Sequence, residues 1–149
     1  MNMMRMIVAT GALLFAGPAL AQMQIQDLKS PNGHGYWLVE EPSIPIVAIE
    51  IAFRGGHRTD PADKSGLTNF TFGMMNEGAG DLDAVAWSKR ADDISARIGF
   101  DNRVDRVEVS ARFLVETLDE SIDFLALTLA EPRFDPEPME RVRRQILSG

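Results

Sequence analysis

The clearest apolar pattern in the chain is "IPIVAIEIAFRGG", residues 44 to 56. Val47, Ile49, Ile51 and Phe53 point to one side; Ile46, Ala48, Glu50 and Ala52 point to the other. Side chains alternate along a strand, so this is a strand with two largely apolar faces, expected at the centre of its sheet. Gly55 and Gly56 end it. "GYWLVEE" (35 to 41) predicts a shorter strand after the turn "SPNGHG". "DRVEVSARF" alternates cleanly, with Val107, Val109, Ala111 and Phe113 inward and Glu108, Ser110 and Arg112 outward.

Between and after these segments the period changes to that of helices. Leu67, Phe70 and Met74 form a stripe on a helix expected to start near Ser65 and end by Gly78. "GAGDLD" breaks the chain, and Asp83 is placed to cap the next helix. Trp87, Ala91, Ile94 and Ile98 recur at helical spacing, with Gly99 as the stop. "FDNR" beyond it is the end of a strand or a turn. Thr117 and Glu120 fit a capping box for a helix that buries Leu118, Ile122, Leu125 and Leu129. A last helix begins near Pro138. The order is strand, strand, helix, helix, strand, helix, helix. This predicts an α+β fold, a mainly antiparallel sheet with helices packed on it. The helical pattern runs to the end of the sequence without a cap, and three strands are few for four helices. The expectation is an incomplete domain, part of a longer protein.

Composition narrows the function. Two histidines, His34 and His57, are the only imidazoles in 149 residues, and there is no cysteine. Disulfides, thiolate zinc sites and cysteine nucleophiles are therefore excluded. A net charge of −7 argues against nucleic acid, whose phosphates need a basic surface. The first 21 residues have a different layout from the rest. Arg5, the apolar run "MIVATGALLFAG" and the small residues Ala19 and Ala21 stand in the order of a cleavable signal peptide. The mature chain, residues 22–149, is then expected to be exported, with a periplasm as the compartment and no stable membrane anchor.

Several short stretches, taken in order, resemble a known family. "VAIEIAFRGGHRTDPADKSGLTNF" looks like a strand, a Gly-containing turn, an acidic loop and the start of a zinc-binding helix; "LAEPRFDPEPMERVRRQI" looks like an "NPxF" turn and the charged helix that follows it. Together they resemble the N-terminal part of a pitrilysin/insulinase-type zinc metallopeptidase domain. Active members carry H-x-x-E-H on the first helix. Two histidines four apart share a helical face and bind one Zn²⁺, and the glutamate activates the zinc-bound water. Here the corresponding residues are Asn69, Phe72 and Gly73, and the third-ligand position falls at about Gly149. Asn is a poor zinc ligand, Gly is none and Phe is no base.

The resemblance therefore implies a degenerate, non-catalytic homologue without a cofactor of its own. Zinc belongs to an active partner subunit or domain, with which this half forms a heterodimer around a peptide substrate. The alternatives are an active zinc peptidase with unrecognised ligands and a purely structural or binding module. Phe72 is expected in the core, filling space that a metal site needs. Other candidates carry less. His57 and Asp60 share a loop that can meet a metal, though loop histidines are usually idle. His34 sits in a turn. Glu50 needs a partner if buried. Glu77 reads as a surface acid at a helix end, and Arg141, Arg143 and Arg144 as a solvated basic face. "NFT" at Asn69 matches a glycosylation sequon but falls inside a predicted helix.

Overall fold

A computed structural model describes residues 24–148. The expected signal peptide and Gly149 lie outside the described residues. The chain divides into two compact units that meet between Pro42 and Ser43. The first holds an antiparallel hairpin of β1 (Ile25–Lys29) and β2 (Gly35–Val39). Its turn closes through the Ser30 hydroxyl, which accepts from the backbone N–H of His34 at 3.1 Å. That is the turn role expected of His34. The strand β1 was not visible in the alternation, because "IQDLK" mixes polar and apolar residues on both faces.

The second unit contains β3 (Ile46–Arg54), α1 (Leu67–Met74), a two-residue ribbon of β4 (Gly78–Ala79) and β5 (Leu82–Asp83), and α2 (Ala84–Asp93). Strands β6 (Arg97–Asn102) and β7 (Arg106–Leu114) and helices α3 (Leu118–Ala130) and α4 (Pro136–Ser148) complete it. Its main sheet is antiparallel throughout, in the order β3-β7-β6. This is the α+β class that the sequence predicts. Among the described residues β3 is an edge strand, not the central one. The central position belongs to β7, whose Val107, Val109, Ala111 and Phe113 are all buried as expected. Glu50 lies exposed on β3 opposite Ser110, so it needs no buried partner.

Two boundaries differ from expectation. The stripe Trp87, Ala91, Ile94 is buried, but α2 stops at Asp93. Ser95 takes a left-handed conformation (φ 55°) and turns the chain into β6. Ile98 and Gly99 are therefore strand residues, and Gly99 sits opposite Ser110 in the ladder. Helix α3 is rotated relative to its expected face: it buries Ser121, Phe124, Leu125 and Thr128, and Ile122 is exposed. The reason is polar. The Trp87 indole N–H donates to the Thr128 hydroxyl at 2.9 Å, and that hydroxyl donates to the Phe124 carbonyl at 2.8 Å. A buried donor needs an acceptor, so Thr128 faces the core. Thr117 does not cap α3; its hydroxyl donates to the Ile94 carbonyl at 2.9 Å, which ties α3 to the end of α2. Asp83 does cap α2, accepting from Ala86 N at 2.9 Å.

The core joins α2, α3 and the inner face of β7 through Trp87, Ala91, Ile94, Val109, Phe113, Phe124 and Leu125. Trp87 and Phe124 stack obliquely, with ring centroids 5.2 Å apart. Among the described residues no helix is long and apolar enough to cross a membrane.

Candidate functional site

The geometry around Asn69, Phe72 and Gly73 begins with how α1 is held. The loop ahead of it is zipped to the β6–β7 turn: Gly55 N bonds Asp105 O at 3.0 Å, His57 N bonds Arg103 O at 3.1 Å, and Arg58 N bonds Val104 O at 3.0 Å. This places Asp60 under the first turn of α1. Its carboxylate accepts from Gly66 N at 2.9 Å, from Thr68 N at 3.0 Å and from the Thr68 hydroxyl in a short contact. Orphan N–H groups at a helix start are satisfied this way, and the negative charge suits the helix dipole. Asp60 is therefore an anchor of α1, not a partner of His57 in a metal site; His57 is exposed.

The Thr68 hydroxyl, more than any other group, holds the Asp60 carboxyl below the usual aspartate range. A group with a depressed folded pKa stabilises the fold above its unfolded pKa, and that contribution disappears as pH falls through the folded value. The advantage of the native protein over Asp60→Asn should thus be full above about pH 4 and shrink below it. Urea unfolding of both proteins between neutral and strongly acid pH measures this. A difference that stayed constant with pH would mean that the carboxylate charge does not matter.

Helix α4 is anchored at two points. At its start the Arg133 guanidinium bonds Asp135 at 2.9 and 3.2 Å and the Gly80 carbonyl at 3.2 Å, and Arg133 N bonds Gly78 O at 3.0 Å. The "EPRFDPEP" turn is thereby tied to β4. Further along, Arg141 makes a two-pronged ion pair with Glu77, one contact at 3.0 Å and the other shorter. The Glu77 side chain is only 14% exposed. Glu77 is thus not a surface acid, whereas Arg141, Arg143 and Arg144 are exposed as expected. The planar guanidinium fork matches a carboxylate, so the pair fixes geometry as well as charge.

These anchors enclose a cleft of about 430 Å³ between α1, β6 and α4. Asn69, Phe72 and Gly73 all line it, as do Asn76, Glu77, Phe100, Asn102 and Gln145. The structure thus brings the three singled-out positions together on one wall. Phe72 is half-buried, not in the core: its ring tilts against Phe100, centroids 6.2 Å apart, at the cleft wall. Of the expected stripe on α1, Met74 is fully buried, Phe70 half-buried and Leu67 exposed. The helix starts two residues later than expected and lies close to the surface at that end. Gly73 has a second role that spacing does not reveal. A Cβ there would stand 3.0 Å from Val142 Cγ1, so the missing side chain lets α1 and α4 touch.

The donor set does not fit zinc. Asn69 offers an amide, Phe72 and Gly73 offer nothing, and the Glu77 carboxylate is occupied by Arg141. Among the described residues no three His, Cys, Asp or Glu side chains gather to hold a metal. Sequence reasoning missed Asn102, at the end of β6. Its Oδ1 is buried and has no hydrogen-bond partner. Nothing in "FDNR" signals this, because the burial of a single side-chain atom is set by tertiary packing and not by local pattern.

The sequence model of the family described as Insulinase (Peptidase family M16) matches residues 37–148. The chain belongs to the M16 (insulinase) peptidase family. Within its relatives, it is 28% identical over 131 residues to the non-peptidase homolog YmxG of Helicobacter pylori, an alignment covering 88% of this chain and 29% of that protein. The fold is similar to the crystal structure of a peptidase M16 inactive domain from Pseudomonas fluorescens, with a TM-score of 0.77 and 22% identity over 85% of this chain. It is also similar to a protease from Helicobacter pylori, with a TM-score of 0.69, 14% identity and the same share of this chain. The chain spans 31% and 30% of those two structures, under a third of the length of each of the three relatives.

Proposed function

We propose that this protein is a non-catalytic M16 homologue, the partner half of a peptide-binding chamber whose zinc is carried by a homologous subunit or domain. The observation that carries the reading is the cleft wall. Asn69, Phe72 and Gly73, which the resemblance sets against the family's H-x-x-E-H, line it together, and of the two carboxylates there Glu77 is locked to Arg141 and Asp101 is paired with Arg103. With neither a metal ligand pair nor a base, the wall cannot generate a zinc-bound hydroxide. The names of two relatives, a non-peptidase homolog and an inactive domain, support the non-catalytic part of this reading. We further place the chain in an exported, periplasmic compartment, on the order of Arg5, the apolar run and Ala19 and Ala21.

Purified full-length protein, freed of chelators, should contain well under one zinc per chain by elemental analysis and should not cleave unstructured peptides. Mixed with an M16 homologue that carries an intact H-x-x-E-H, it should assemble and raise that chain's peptidase rate. One zinc per chain, lost on Asn69→Ala, would sink the non-catalytic reading. Failure to assemble with any such homologue would sink the chamber reading.

A further inference from the structure

We propose that the tip of the β1–β2 hairpin is a self-modification site. There the Asn32 carboxamide is converted to an aspartyl or isoaspartyl residue without an enzyme, at a rate set by the turn around Ser30. The proposal is independent of the chamber reading. An asparagine carboxamide is lost when the backbone nitrogen of the next residue attacks its Cγ. The new N–Cγ bond closes a five-membered succinimide, and the side-chain nitrogen leaves as ammonia. Water then opens the ring. Cleavage of the new bond gives aspartate; cleavage of the original peptide bond gives isoaspartate, with the main chain running through Cγ. The net reaction is carboxamide and water to carboxylate and ammonium.

Attack needs an unhindered nitrogen, an accessible carboxamide and a backbone free to bring the two together. Asn32 is exposed and is followed by Gly33, which has no side chain to obstruct attack. No atom lies within 4 Å of the place a Gly33 Cβ would take. The hairpin is a two-stranded sheet in a unit of its own, and isolated hairpins are marginal. One bond restrains the reaction. Gly33 N donates to the Ser30 carbonyl at 2.9 Å, closing a turn with Pro31 second and Gly33 fourth. Ser30 N donates to the His34 carbonyl at 2.8 Å, and His34 N to the Ser30 hydroxyl at 3.1 Å. A nitrogen engaged with a carbonyl cannot attack, so conversion waits for local opening of this turn. The other described asparagines lack both advantages. Asn69, Asn76 and Asn102 precede Phe70, Glu77 and Arg103, whose side chains hinder approach. The nitrogens of those three residues donate to Gly66, Met74 and Arg106 carbonyls, each at 2.9 Å. Conversion at Asn32 adds one negative charge to the tip. Isoaspartate also adds a main-chain carbon between Pro31 and Gly33, which displaces Gly33 N from the Ser30 carbonyl and loosens the tip.

The test incubates the full-length protein at physiological temperature in mildly alkaline buffer made with heavy-oxygen water. Mass spectrometry of its peptides, with fragmentation that separates aspartate from isoaspartate, follows each asparagine. The Asn32 peptide should gain one heavy oxygen several-fold faster than those of Asn69, Asn76 and Asn102. Ser30→Ala removes the hydroxyl acceptor and should speed the conversion several-fold. Gly33→Ala should slow it several-fold even though it strains the turn, because the methyl hinders attack. Asn32 left intact over a time in which the free peptide of residues 28–36 converts fully would overturn the proposal. So would earlier conversion at another asparagine, or a Gly33→Ala protein that reacts as fast as the native one. Equal rates for the native protein and Ser30→Ala would overturn the control by the turn.

Discussion

Gly56→Val should destabilise the protein by about 4 kcal/mol, among the largest effects of any single substitution, and should loosen α1 with it. Gly56 has φ 76°, a left-handed conformation that a β-branched residue strongly resists. The backbone it touches makes matters worse. A Cβ at this position would lie 2.3 Å from the Arg103 carbonyl oxygen, 2.8 Å from Arg106 N and 2.9 Å from the Val104 carbonyl carbon. All three are main-chain atoms, so no side chain can turn aside. The loop must lift off the β6–β7 turn, breaking the bonds that Gly55, His57 and Arg58 make there. Asp60 then loses its position under Thr68, and α1 loses its N-terminal anchor. Denaturant unfolding gives the stability change, and hydrogen exchange at the Gly66 and Thr68 amides reports the anchor. Gly33→Ala is the control. Gly33 also has positive φ (84°), but no atom lies within 4 Å of the place its methyl would take, so only about 1–2 kcal/mol of conformational strain is expected. Equal effects at the two glycines would show that close approach at Gly56 is unimportant.

Phe113→Ala should cost about 3–5 kcal/mol, the range for truncating a fully enclosed aromatic ring. Phe113 is 1% exposed on β7, the central strand, and it belongs to the cluster that joins the sheet to α2 and α3. Packed neighbours on every side cannot collapse into the space it leaves. Phe72→Ala should cost far less, about 1–2 kcal/mol, because that ring is half-buried and has the cleft on one side. Chemical denaturation of the two variants side by side measures the contrast. A Phe72 effect as large as that of Phe113 would place Phe72 in the core after all and close the cleft.

The local pattern was enough for the elements with strict periods. The alternation of Val107, Val109, Ala111 and Phe113 specified both the strand and its buried face, because a period of two leaves only one register in which all four are inside. The stripe Trp87, Ala91, Ile94 and the cap at Asp83 were legible for the same kind of reason: both depend on residues within a turn or two. The replaced residues Asn69, Phe72 and Gly73 were legible as a trio, since a helix puts positions four apart on one side.

What the tertiary structure decided were relations between residues far apart in the chain. Strand β6 was legible only at its end, in "FDNR", because Ile98 and Gly99 read equally well as the tail of α2, and only pairing with β7 settles them. The face of α3 was set by Thr128, which must accept from Trp87, 41 residues earlier. Glu77 looked like a solvated acid until Arg141 met it from 64 residues away, and Gly73 looked like a lost ligand until Val142 closed on it. Asp60 lies six residues ahead of Gly66, too far for any capping pattern, and reaches α1 only because Gly56 folds the loop against the β6–β7 turn. Periodicity reports which side of an element is apolar. It carries no information about which distant atom will stand opposite, and a binding cleft is made of such meetings.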